Sequence, residues 1–296
     1  MDAADLLARC DFPPPGTAVD CAVSGGPDSL ALLVLAVEAG CTVTAWHVDH
    51  GLRPGSDTEG EAVAGVARAL GAAAVSVAAH VADGPNLEAR ARDARRDVLP
   101  PGVLTGHTAD DQAETVLLNL LRGAGIHGAA GIGEPHRRPL LGLRRSETRA
   151  LCAARGLEPL DDPMNGDPRF VRNRIRHEVL PLLAEVSDRD PVPLLARHAR
   201  QAGAAAALLD GLVDDVDATD AHSVAALPPD LARLVLRRWL TDRLEGRPPD
   251  AAAVDRVLAV AAGTDRAAEV AGGLRVERSG GRLRAVPVGG ATDGGR

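Results

Sequence analysis

The chain has 296 residues, enough for one large or two modest domains, and its 45% apolar and 25% charged residues are the balance of an ordinary globular protein. A formal charge of −8 excludes a protein that is basic all over, although RNA or DNA phosphates respond to the local field and stay admissible. Aromatic residues make up 1% (Phe12, Trp46, Phe170 and Trp239), so the cores must be aliphatic, and the longest notable apolar run, Leu30 to Val37, is too short to span a bilayer.

Met1 to Asp5 carries acids where a targeting peptide carries cations, which points to a cytoplasmic protein. Cys10, Cys21, Cys41 and Cys152 show neither CxxC spacing nor a disulfide rhythm and read as reduced, mostly core thiols. After a turn at Pro13 to Pro15, a strand ending near Val23 delivers a glycine turn to a helix that runs from Asp28 to about Glu38. Thr42 to Val48 alternates and β-branches like a second strand, and a capping-box spacing at Ser56 to Glu59 opens a helix to about Leu70. Ala73 to Ala79 reads as a third strand, Asn86 to about Val98 as a helix, Val103 to Gly106 as a fourth strand and Ala109 to Leu121 as the helix after it. This alternation implies an α/β fold, a twisted and mainly parallel sheet with helices on both faces, whose ligands sit beyond the carboxyl ends of the strands.

From Arg122 to Leu143 glycines and basic residues interrupt the pattern, as in a functional loop. Helices are expected over Ser146 to Arg155 and Arg172 to about Glu185, with a turn-rich loop at Asp161 to Arg169 between them. Asp188 to Pro193 reads as a linker. Beyond it come helical segments near Leu194 to Val213, Asp230 to Leu244 and Ala251 to Ala262, then a hairpin from Glu269 to Val276 and Arg282 to Val288. The terminal residues from Gly289 are expected to be disordered.

Ser24-Gly25-Gly26-Pro27-Asp28-Ser29 has the build of a phosphate cradle. Two glycines let backbone amides close on an anion, the helix that follows aims its free N–H groups at the same point, and Ser24 and Ser29 add hydroxyls. Asp28 would repel phosphate unless a cation lay between them, so it reads as a magnesium partner. The pattern is not the Walker loop, which needs a lysine, and the chain has no lysine at all. A plain strand-to-helix turn with Asp or Ser as cap is the competing reading.

Three further stretches carry chemistry. His47-Val48-Asp49-His50-Gly51-Leu52-Arg53 ends the second strand; it suits a loop ordered by His–Asp hydrogen bonds, a metal site short of a third ligand, or a substrate contact. In Thr105 to Thr115, Asp111 and Glu114 share a helical face and could hold an ammonium group, or they could serve the helix dipole beneath an N-capping Thr108. Between Arg137 and Arg176, ten arginines face five acids, a local +5 where a polyanion would dock. Arg172, Arg174 and Arg176 cannot all lie on one helical stripe, so some must turn inward.

The order SGGPDS, HVDHGLR, NLEARARDARR, TGHTADDQAETVLLNLLRGAG, RPLL and DDPMNGDPRFVRNRIRHEVLP, over about residues 17 to 185, resembles the tRNA(Ile)-lysidine synthetase family of PP-loop ATP pyrophosphatases. The resemblance implies a PP-loop catalytic domain over 1–188 and a mostly helical tRNA-binding domain over 189–296. It implies that ATP and Mg2+ adenylate the wobble cytidine of a CAU-anticodon tRNA(Ile), and that free L-lysine then displaces AMP to give lysidine. Carried over by position, Ser24, Gly25, Gly26, Pro27, Asp28 and Ser29 hold ATP, with Asp28 near the metal. Asp111 and Glu114 receive lysine. Arg174, with Arg172 beside it, faces the activated cytidine, and His50 and Arg53 fall in a family motif without an assigned step. The ordered part is expected to end near residue 288, short of the further C-terminal domain of longer relatives, so Arg233, Arg237, Arg238 and Arg243, beside Trp239, are the candidates for gripping the tRNA body. A homodimer is compatible with the sequence. The cysteine spacing does not suit the alternative of a cytidine thiolase, and an ATP-binding RNA module without turnover would bind ATP and release no pyrophosphate.

Overall fold

The computed structural model describes residues 3–49, 56–79, 87–160, 167 and 169–288. His50 and Arg53, together with most of the loop at 161–168, lie outside the described residues. The chain divides into two compact units, Met1–Ala204 and Ala205–Arg296.

In the first unit, helix α1 (Ala3–Leu7) precedes β1 (Ala18–Ala22), α2 (Pro27–Glu38), β2 (Thr42–Asp49), α3 (Ser56–Ala69), β3 (Ala73–Ala78) and α4 (Leu87–Val98). The strands form a parallel sheet in the order β1-β2-β3, with Ala18 opposite Thr42 and Thr44 opposite Ala73. Alternation along β2 buries Val43, Ala45 and His47. Helix α2 is apolar nearly all round, and Leu30 to Ala36 are all buried in one core with Val43, Ala45, Val63, Leu140, Leu143 and Leu151. A helix of that kind has no solvent face, so it lies inside and its N-terminus is held rigidly at the end of β1.

The expected fourth strand is reduced to one residue. Leu104 bridges Cys21 in parallel, its N–H donating to the Asp20 carbonyl (2.8 Å) and its carbonyl accepting from Ala22 (2.9 Å). The ladder ends there because the next amide, Thr105, turns away to the Arg137 carbonyl (3.0 Å). Helix α5 (Ala109–Leu121) follows, then the short α6 (Ile126–Ala129) and α7 (Arg145–Ala154). The glycine-rich loop is tied to α5: Gln112 donates to the Ala130 carbonyl (3.0 Å) and accepts from the Ile132 amide (2.7 Å), and Asn119 donates to Gly128 (2.9 Å).

The arginine-rich stretch winds as α8 (Val171–Arg174), a π-helical turn over Ile175–Val179, and α9 (Leu180–Ser187). Asp188 to Pro193 is not an extended linker, because Pro191 opens α10 (Pro191–Gly211). Proline suits that first-turn position, where its missing N–H costs nothing. Val192 and Ala196 of α10 then pack with Ala109, Ala113, Ile175 and Leu180.

The second unit holds α11 (Ala221–Ala226), α12 (Pro229–Arg243) and α13 (Ala251–Ala262), then β4 (Ala267–Val270), β5 (Leu274–Ser279) and β6 (Arg282–Pro287). What reads as one hairpin arm breaks at a turn over Ala271–Gly273, so the sheet has three antiparallel strands, β4-β5-β6. Its core joins Leu236, Trp239 and Leu240 to Val254, Val257, Val276 and Leu283.

Candidate active site

The glycine turn is built to leave amides free. Gly26 precedes α2 with extended backbone, Pro27 takes the first helical position, and no side chain caps the helix. Ser29 braces the turn: its hydroxyl accepts from the Ser24 amide (3.1 Å), meets the Ser24 hydroxyl (3.2 Å) and donates to the Gly26 carbonyl (2.9 Å). Gly25 has φ of +86°, and a Cβ there would stand 2.5 Å from Leu160 Cδ1. Gly106 is needed for close approach, since its Cβ would lie 2.6 Å from the Asp28 carbonyl oxygen. The TGH turn therefore presses directly on the first turn of α2.

Three helix N-termini meet around this turn. Asp28 is the second residue of α2, Asp111 the third of α5 and Arg145 the first of α7. Asp110 fastens α7 to α5 by accepting from the Arg145 amide (2.8 Å) and from Arg144 Nε and Nη2 (3.0 and 3.1 Å). Arg144 also pairs with Asp190. Helix N-termini favour carboxylates and other anions, which suits acids in the first turns of α2 and α5.

Asp28, Asp111 and Glu114 are joined through one guanidinium. Arg145 sends Nη2 to Asp111 Oδ1 (2.8 Å), Nη1 to Glu114 Oε1 (3.0 Å) and Nε to Asp28 Oδ2 (3.4 Å). Arg172 reaches Glu114 Oε2 (2.9 Å) and Asp111 Oδ1 (3.3 Å), and Arg176 grips both oxygens of Glu114 (2.7 and 3.1 Å). The Glu114 side chain is fully buried. Asp111 serves two purposes, because Oδ1 meets the arginines while Oδ2 accepts from the Thr108 amide (2.8 Å) and hydroxyl (2.9 Å). The helix-start reading of this acid is met through Oδ2, while Oδ1 faces two guanidiniums. Thr148, wholly buried, donates its hydroxyl to Asp28 Oδ1.

Burial works against ionisation of Asp111 and Glu114. The guanidiniums of Arg145 and Arg172 for the first, and of Arg176 and Arg145 for the second, outweigh it and hold both carboxyls below their ordinary range. Asp28 goes the other way: burial pushes its carboxyl up despite the Thr148 hydrogen bond. All four cysteines are free thiols, and burial pushes Cys21 up to about 12 and Cys152 up to about 11, so neither is a ready nucleophile.

Of the residues picked out from sequence, the structure brings Asp28, Asp111, Glu114 and Arg172 together beside the Ser24–Ser29 turn. Arg174 lies apart from them, its side chain 60% exposed and paired with Glu178 (2.9 Å). Of the three arginines at 172, 174 and 176, of which some must turn inward, Arg172 and Arg176, four apart on one face, do so, and Arg174 does not. Thr148 carries no sign in the sequence, and Arg145 only its place in the arginine-rich stretch. In the second unit, Arg233 pairs with Asp230 and Asp255, Arg238 with Asp214, and Arg243 lies 4.3 Å over the Trp239 ring, while Arg237 donates to the Pro249 carbonyl (3.5 Å).

An uncapped α2 and a glycine turn free of Cβ atoms fit a triphosphate. Asp28 fits a magnesium ion as well: among the described residues Oδ2 has only the long contact to Arg145, and magnesium takes one or two carboxylates along with phosphate oxygens and water. No group of three potential metal-ligating side chains occurs among the described residues.

This fold and site define a PP-loop enzyme that uses ATP, and residues 6–183 match the family described as PP-loop domain. Residues 221–284 match the family described as TilS substrate binding domain. The chain is 46% identical to the tRNA(Ile)-lysidine synthase of Nocardia farcinica, across 81% of this chain and 80% of that protein. It is 40% identical to that of Salinispora tropica, across 95% and 94%. Among solved structures, the U34-tRNA thiolase NcsA from Methanococcus maripaludis superimposes with a TM-score of 0.53 at 16% identity, over 73% of this chain and 80% of that one, a likeness of fold alone. The chain belongs to the tRNA(Ile)-lysidine synthase family, whose members are ligases acting on tRNA.

Proposed function

We propose that the chain joins free L-lysine to C2 of the wobble cytidine in a CAU-anticodon tRNA(Ile), at the expense of ATP. The cytidine O2 bonds to the α-phosphorus as pyrophosphate leaves, the lysine ε-nitrogen then bonds to C2, and AMP departs with that oxygen. One observation carries the reading: Arg145 touches Asp28 of the glycine turn and both acids of α5, so the nucleotide cradle and the amine-binding pair form a single site.

In this reading Ser24 to Ser29 and the free amides of α2 hold the phosphates, and the Ser29 hydroxyl keeps the turn in shape. Asp28 Oδ2 would hold magnesium, which supplies neutralisation of the charge that develops on the departing pyrophosphate. Asp111 and Glu114 bind the substrate ammonium. A carboxylate there accepts the proton that the amine must lose before it attacks. Arg174, exposed and set apart from the buried cluster, would meet the tRNA at the activated cytidine, and the second unit would bind the tRNA body. No helix among the described residues is long and apolar enough to cross a membrane. A tRNA substrate is consistent with a cytoplasmic reaction.

AMP formation that depends on both lysine and a CAU transcript tests the proposal. AMP release without lysine, or with an unrelated acceptor in place of the transcript, removes it.

A further inference from the structure

The acid pair on α5 is already saturated with donors. Glu114 Oε1 accepts from Arg145 and Arg176, Glu114 Oε2 from Arg172 and Arg176, Asp111 Oδ1 from Arg145 and Arg172, and Asp111 Oδ2 from Thr108 twice. An incoming ammonium has three N–H donors and therefore needs three converging acceptors, which it obtains here only by exchange with a guanidinium.

The three arginines are not equally held. Arg145 makes contacts of 2.8 and 3.0 Å to the two acids, its amide is bound by Asp110, and its side chain is 16% exposed. Arg176 grips Glu114 with both Nε and Nη2. Arg172 has one close contact, to Glu114 Oε2 at 2.9 Å; its other two, to Asp111 Oδ1 and the Asp111 carbonyl, are 3.3 and 3.5 Å, and at 26% it is the most exposed of the three. Its partners are two carboxylate oxygens and one main-chain carbonyl, a three-acceptor set that matches an ammonium group.

Resting on the amine-site reading above, we infer that these three acceptors are the seat of the lysine ammonium, and that Arg172 is its resident occupant, which lysine must displace. The exchange swaps one cation for another beside the same acids, so the charge facing those acids is unchanged while the seat changes hands. Arg172 thereby sets how tightly lysine binds. It does not reach the turn that holds ATP.

The test is the equilibrium dissociation constant for L-lysine, measured on the full chain in wild type, Arg172→Ala and Asp111→Asn, with ATP binding measured alongside. Arg172→Ala is expected to tighten lysine about fivefold, the worth of a partly exposed ion pair, with ATP affinity unchanged. Unchanged or weaker lysine binding in Arg172→Ala, with Asp111→Asn still weakening it, overturns the occupant and leaves the amine site standing. Lysine binding that ignores Asp111→Asn overturns the amine site itself. A measurement on wild-type protein is independent of whether the variants fold: free guanidinium ion should compete with lysine, and inhibition that is not competitive with lysine counts against the seat.

Discussion

Glu114→Gln is the sharpest test of the buried cluster. The carboxylate accepts four N–H contacts of 2.7 to 3.1 Å from three guanidiniums, with no exposed surface of its own. An amide in its place keeps one acceptor oxygen and turns its NH2 toward the arginine donors on the other side. Two charge-assisted hydrogen bonds, each worth about 1.5–3 kcal/mol, are lost. The three arginine side chains are 16%, 26% and 22% exposed, so water recovers part of that. The net cost should be about 3–5 kcal/mol, the usual range for removing one partner of a buried pair. In a folding unit of about 200 residues, each kcal/mol shifts Tm by about 2–4 °C, so a fall on the order of 10 °C is expected. Calorimetry on the full chain reads it, with Arg174→Ala as the control, since its exposed pair with Glu178 should leave Tm where it was. A fall of less than about 2 °C in Glu114→Gln, or an equal fall in the control, would refute the claim that these acids are a desolvated keystone.

The same variant carries a pH signature. Glu114 has a folded pKa below its ordinary value near 4.5, so its contribution is present above that value and lost as pH falls through the folded one. The Tm gap between wild type and Glu114→Gln should therefore narrow as the solution is acidified below about 4.5, and a gap that stays constant counts against the assignment. Gly106→Ala places a methyl group 2.6 Å from a backbone oxygen of α2, which cannot swing aside. The strain, about 1–3 kcal/mol, should fall on the ATP cradle and raise the KM for ATP more than that for lysine; steady-state kinetics with each substrate varied decides it. Arg174→Ala should lower kcat or raise the KM for tRNA with lysine and ATP affinities intact, and a change in ATP binding would show that Arg174 acts elsewhere.

Forces of short and long range fix different parts of this molecule. Within one element, spacing is geometry. Asp111 and Glu114 share a face of α5 because the helix turns every 3.6 residues, and two glycines after a strand make a turn whose amides stay open. The same local rules were less safe at edges: Val103 to Gly106 has the composition of a strand but pairs only at Leu104, and the prolines at 191 and 193 begin a helix where they suggested a linker.

Linear spacing could not say what would meet those acids in space. Arg145 stands 31 positions from Glu114 and 117 from Asp28, and Thr148 120 from Asp28. Each is polar and unremarkable in its own segment. The apolar body of α2, the Gly106 contact and the Asp110 clasp bring their helix ends together, and burial then makes every carboxylate there demand a partner. The sequence by itself determined the elements and the chemistry each could offer, because propensity and periodicity act over a few residues. Which arginines turn inward onto Asp111 and Glu114, and which of them keeps the most exposed side chain, was decided only by tertiary packing, because charges pair by distance in space and not along the chain.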